Sequence, residues 1–100
     1  MNRDSLVLLT IVQEINFCQG KITAKQLVDL CRGKSVTSVY LRKEVTEKHQ
    51  GTLSHMPEKE LRRLIIKLLI VGALEEVFIS LRRGNQGSNI VVYVDVGRHA

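Results

Sequence analysis

The chain predicts a mainly helical α+β domain that ends in one β-hairpin. Two observations carry this: apolar residues recur at helical spacing as far as Gly72, and beyond it the period changes to alternation on either side of a Gly-rich turn. A third sets the scale, because 100 residues fit a single folding unit and leave no room for a second domain. By surface scaling, such a chain keeps roughly 5,700 Å² exposed and buries about 65% of what it exposes unfolded. Hydrophobic content of 44% with 25% charged residues is globular composition and excludes disorder.

Residues 5–16 place Leu6, Leu9, Val12 and Ile15 on one helical face behind Asp4, an effective N-cap. Gly20 ends the connection, and Lys21-Ile22 suggest a short strand. Thr23 and Gln26 then have capping-box spacing, and the second helix runs to Arg32 with Ala24, Leu27, Leu30 and Cys31 on one face. Gly33 supplies its stop. Across residues 34–56 the pattern is weakest: Val36, Val39 and Tyr40 suggest a short helix, followed by a polar loop through Lys48-His49-Gln50-Gly51. Pro57 suits the first position of the next helix, with Glu58 and Glu60 at its positive end. Leu61, Leu64, Ile65, Leu68, Leu69 and Val71 give that helix a broad apolar face, and Gly72 closes it. Val77, Ile79 and Leu81, then Ile90, Val92, Val94 and Val96, flank a polar turn and read as a hairpin. A lone hairpin is marginal in water, so its apolar residues are expected to pack on the helices. Helices followed by such a hairpin are the winged-helix arrangement, a helix-turn-helix core with a β-wing.

The charge is basic throughout: eight cations against five carboxylates in residues 1–50, and seven against five in 51–100, for a net +5. A folded surface, not a tail, carries the excess, which favours a polyanionic partner such as nucleic acid. Cys18 and Cys31 form neither a disulfide framework nor a zinc motif, and Cys31 falls on an apolar helix face as a core thiol. His49, His55 and His99 sit in polar surroundings and read as solvated loop residues. The longest apolar run, residues 64–74, is interrupted by Lys67 and too short to span a membrane. The first residues mimic a leader, but Asp4, Gln13 and Glu14 fit an amphipathic core helix and an intracellular, reduced protein better.

No nucleophile elbow, phosphate-binding loop or other catalytic constellation is present. Three basic sites stand out instead. Lys59, Arg63 and Lys67 recur at i, i+4 and i+8 as a stripe opposite the core face, while Arg62 has Glu58 four residues earlier as a partner. A bound anion would relieve the repulsion within the stripe, and a solvated charged face accounts for the same residues. Arg32-Gly33-Lys34-Ser35 could clamp a phosphate through two cations, a hydroxyl and freed backbone N–H groups, or could simply be a helix end. Arg82, Arg83, Asn85 and Gln86 mark a protruding tip able to reach DNA, or a turn kept soluble by its charges.

Taken together, these segments resemble the RQC winged-helix domain of RecQ-family DNA helicases, nearest to the Bloom-type eukaryotic branch. The resemblance covers almost the whole chain. It rests on Leu27-Val28-Asp29-Leu30-Cys31-Arg32-Gly33-Lys34-Ser35, on Leu64-Ile65-Ile66-Lys67-Leu68-Leu69-Ile70-Val71-Gly72-Ala73-Leu74, and on Val92-Tyr93-Val94-Asp95-Val96-Gly97. It implies a noncatalytic module that grips duplex, forked or branched DNA while its wing helps part the strands. Arg32, Lys34 and Ser35 would lie in a phosphate-binding loop, Arg62 at a backbone-contacting helix position, and residues 82–86 at the wing. Here Lys34 separates the serine from Gly33, and the tip is polar where some members carry an aromatic. The resemblance further implies a fragment, monomeric by itself, of a nuclear enzyme of replication, recombination and repair. No cofactor is expected in these residues, with ATP and Mg implied only for the parent motor. A winged-helix transcription regulator would instead read bases with Lys59, Arg63 and Lys67, and a protein-interaction module would leave DNA alone.

Overall fold

A computed structural model describes residues 3–82 and 88–97, with backbone only at 80–82, 88 and 89. The order is α1 (Arg3–Phe17), α2 (Ala24–Cys31), α3 (Lys43–His49), α4 (Glu58–Ile70), β1 (Leu74–Arg82) and β2 (Ser88–Val96), a winged helix. Leu8, Val12 and Ile15 of α1 meet Leu27 and Leu30 of α2, Leu61 and Ile65 of α4, and Leu74 and Val94 of the hairpin in one core.

α1 begins earlier than the sequence suggests, so Asp4 lies inside its first turn rather than capping it. Its buried face is also rotated: Leu8 and Ile11 are buried while Leu6 is 53% exposed. α2 starts at the expected capping box, with the Gln26 N–H donating to Thr23 Oγ1 at 3.1 Å and the Thr23 N–H to Gln26 Oε1 at 3.0 Å.

The short helix expected at Val36, Val39 and Tyr40 forms further on, as α3. Val39 is 94% exposed, and the Tyr40 carbonyl accepts from the Lys21 N–H at 3.2 Å, so this stretch is a strap. Val45, Thr46 and His49 form the buried side of α3. His49 is thus no solvated loop residue: its Nε2 lies 2.6 Å from Glu14 Oε2 on α1.

Pro57 occupies the N-cap of α4, one position before the expected one, and its carbonyl accepts the Leu61 N–H at 3.0 Å. Leu61, Ile65 and Leu68 are buried, but Val71 is 52% exposed because it follows the last turn as C-cap. Cys31 is fully buried, and burial pushes its thiol up to about 12.

β1 and β2 pair antiparallel from Leu74 opposite Val96 to Arg82 opposite Ser88. Among the described residues, the hairpin packs on the helices at its base. Leu74 and Val94 are 1% exposed there, whereas Phe78 and Ile90 further out are 66% and 65% exposed. Three contacts fix the base. Asn16 at the end of α1 donates to Asp95 Oδ1 at 3.2 Å and accepts the Val96 N–H at 3.1 Å. The Val94 N–H donates to the Ile22 carbonyl at 2.8 Å, all that forms of the expected strand at Lys21-Ile22. Gly97 donates to the Ala73 carbonyl at 2.9 Å and lies so near Gly72 that an added Cβ would sit 2.2 Å from its oxygen. On the other sheet face the buried Tyr93 ring meets Tyr40 edge-on at 6.0 Å, with Lys21 Nζ 5.2 and 5.8 Å from the two ring centres. The accessible surface is 6788 Å², above the roughly 5,700 Å² of a compact chain of this mass.

Candidate nucleic-acid interface

The loop after α2 is organised by a Schellman motif. Arg32 caps the helix, Gly33 takes φ +94°, the Gly33 N–H donates to the Leu30 carbonyl at 3.1 Å and the Lys34 N–H to Asp29 at 2.8 Å. A side chain at Gly33 would be strained in that left-handed conformation. The expectation of backbone N–H groups freed for phosphate is therefore corrected: those of Gly33 and Lys34 are spent closing the helix. What the loop offers is its side chains. Arg32, Lys34 and Ser35 are all exposed, and Lys34 Nζ keeps only a 3.9 Å approach to Asp29.

A second loop braces the first. The Gly51 N–H donates to the Leu30 carbonyl at 2.8 Å, the Leu53 N–H to Cys31 at 2.9 Å, and Gln50 Nε2 to Gly33 at 2.9 Å. These bonds satisfy carbonyls that a helix end leaves open. The polar stretch at Gln50-Gly51 was visible in the sequence, but nothing local showed that it lies against Gly33, seventeen or more residues away. The same loop is tied to α1 through its preceding helix. Lys48 Nζ is 3.2 Å from Glu14 Oε1, and the hydrogen bond from His49, then that from Lys48, hold the Glu14 carboxyl below its ordinary value.

The α4 stripe is in place: Lys59, Arg63 and Lys67 are exposed on the side away from the core, and among the described residues no carboxylate pairs with them. Arg62 does pair with Glu58, at 2.9 Å. At the wing, the Arg82 backbone pairs with Ser88, while the Arg82 side chain, Arg83, Asn85 and Gln86 lie outside the described residues.

In comparison with known proteins, no curated protein matches the chain. The family model of the RQC domain matches residues 1–95.

Proposed function

Because the chain belongs to the RQC domain family, the noncatalytic DNA-binding module of RecQ-type helicases, we propose that it grips duplex DNA beside a branch through phosphate contacts and helps part the strands with its hairpin. The observation that carries this reading is the α2 exit. Two cations and a hydroxyl stand exposed within four residues, on a loop whose Arg32, Gly33 and Lys34 N–H groups and Gly33 carbonyl are bonded inside the fold. Such a loop can meet phosphate oxygens without reorganising, and phosphate contacts position a protein without reading sequence. Lys59, Arg62, Arg63 and Lys67 add a second exposed positive surface on α4. Arg82, Arg83, Asn85 and Gln86 would meet the backbone and base edges at the fork, without aromatic stacking.

The parent protein in this reading supplies ATP and Mg chemistry from its motor and acts in the nucleus on replication, recombination and repair intermediates, with this domain a monomer in isolation. The Bloom-type placement rests on the three segments quoted above. Competition binding between forked and fully paired DNA of several sequences tests the proposal. The expected result is preference for the fork, little base preference, and log affinity falling against log salt with slope roughly −3.6 for about four neutralised phosphates. Strong sequence preference would select the transcription-regulator reading. A flat salt response would overturn the DNA grip.

A further inference from the structure

Away from the core, α4 carries two different surfaces. Beside the basic stripe stand Ile66 and Ile70, 55% and 79% exposed. Leaving such side chains in water costs roughly 25 cal/mol per Å² of apolar surface, and a phosphate backbone offers them nothing in return. They form the outer lip of a groove of about 800 Å³ between α2, α4 and β1, with Val28 and Ile65 among its lining. Lys25 stands on the α2 wall and Arg62 on the α4 wall, and Glu76 of β1 is the one lining carboxylate. From Arg62 to Ile70 the groove follows α4 for about 12 Å, a little over two turns of helix.

We propose that this groove docks an acidic amphipathic helix of a protein partner. Apolar side chains at i, i+3 or i+4, and i+7 of that helix fill the space above Val28 and Ile65 and cover Ile66 and Ile70. Its carboxylates meet Lys25 on one side, and Arg62 with Lys59 on the other. Charge complementarity selects this occupant: Lys25 has no carboxylate partner among the described residues, and Arg62, although paired with Glu58, is flanked on α4 by the unpaired Lys59, so a basic or neutral segment would forgo the attraction, and DNA would forgo the apolar contact. Glu76 sets the direction. It belongs to the element that follows the C-terminal end of α4, and the positive N-terminal end of the docked helix is favoured beside it. The partner helix then runs antiparallel to α4.

The test is a titration of the isotope-labelled chain with a helical peptide of leucines at i, i+3 and i+7 among glutamates. A scrambled peptide of equal composition and forked DNA are titrated in parallel. The designed peptide is expected to shift the amides of Lys25, Val28, Ile66 and Ile70. Replacing both exposed residues, Ile66→Glu with Ile70→Glu, should weaken it at least about tenfold, in the range of a hot-spot loss. The milder Ile70→Ser should act in the same direction and, because it adds no charge beside the basic stripe, should leave DNA affinity nearly unchanged. No shift at millimolar peptide, equal binding of the scrambled peptide, or an unaffected double variant would overturn the proposal. So would forked DNA shifting these amides where the peptide does not, which would assign the groove to nucleic acid. None of these results bears on the grip at Arg32 and Lys34.

Discussion

The loop after α2 and the hairpin both meet DNA in the proposed function, yet they are held in opposite ways. Around the loop, backbone bonds from Gly33, Lys34, Gly51 and Leu53 converge on the end of a buried helix. The hairpin is fixed to the helices by Asn16, Ile22 and Ala73 at its base, and further out it depends on its own strand pairing, with Phe78 and Ile90 in solvent. A braced loop suits holding, since its geometry is set before the ligand arrives. A projecting arm suits intrusion, since it reaches beyond the surface that does the holding.

That contrast is sharpest in stability. Leu30→Ala removes a fully buried side chain beneath the loop and should destabilise the domain by about 3 kcal/mol, within the usual cost of core truncation. Ile90→Ala on the arm should cost under about 0.5 kcal/mol, and chemical denaturation compares the two. Equal losses would mean that the arm is as integral to the core as the loop. In the parent helicase, replacing residues 82–88 by a tight Asn-Gly turn should cut unwinding several-fold while duplex binding of the domain falls modestly. Undiminished unwinding would leave the hairpin an anchoring role only.

A smaller effect is expected at the loop itself. Arg32→Ala and Lys34→Ala should each weaken duplex binding about two- to threefold, since exposed charge contacts contribute a few tenths of a kcal/mol to about 1 kcal/mol. Each should also flatten the salt slope by roughly 0.9. The melting temperature should hold, because the helix cap is made by backbone groups and the two side chains are exposed. The smallest effect concerns the brace behind the loop. The Glu14 carboxyl is held below its ordinary 4.5 by His49 and Lys48, so its contribution is fully present above that value and is lost as pH falls through the lower folded value. Glu14→Gln should therefore lower the melting temperature at neutral pH, with the gap to the wild type closing as pH falls below the ordinary 4.5 and through the lower folded value.

Legibility in the sequence followed range. The capping box at Thr23 and Gln26, the stop at Gly33 and the alternation of the strands are decided within a few residues, and they were readable. α3 was misplaced because Val36, Val39 and Tyr40 look helical in isolation, while Tyr40 is used as a strap against Lys21 and Tyr93. The burial of His49 depends on Glu14, 35 residues away. At the candidate interface the side chains of the α2 loop and the α4 stripe were legible as exposed charge. The consumption of the loop's N–H groups was not, because the Schellman bonds become visible only once Asp29 and Leu30 are known to be its acceptors. Nor could spacing reveal that Ile66 and Ile70 border a groove, since that depends on where α2 lies.

The Asn16 clasp has a mechanical consequence. Each arm of the hairpin is nine residues long, about 30 Å at the usual strand rise, and is fastened near one end. A duplex pressed against the tip therefore acts on a cantilever, and the torque is borne at the fulcrum where Asn16 grips Asp95 and Val96. There the load passes into α1, the longest helix of the domain, two residues from Glu14, whose contacts with Lys48 and His49 lead on to the brace behind the α2 loop.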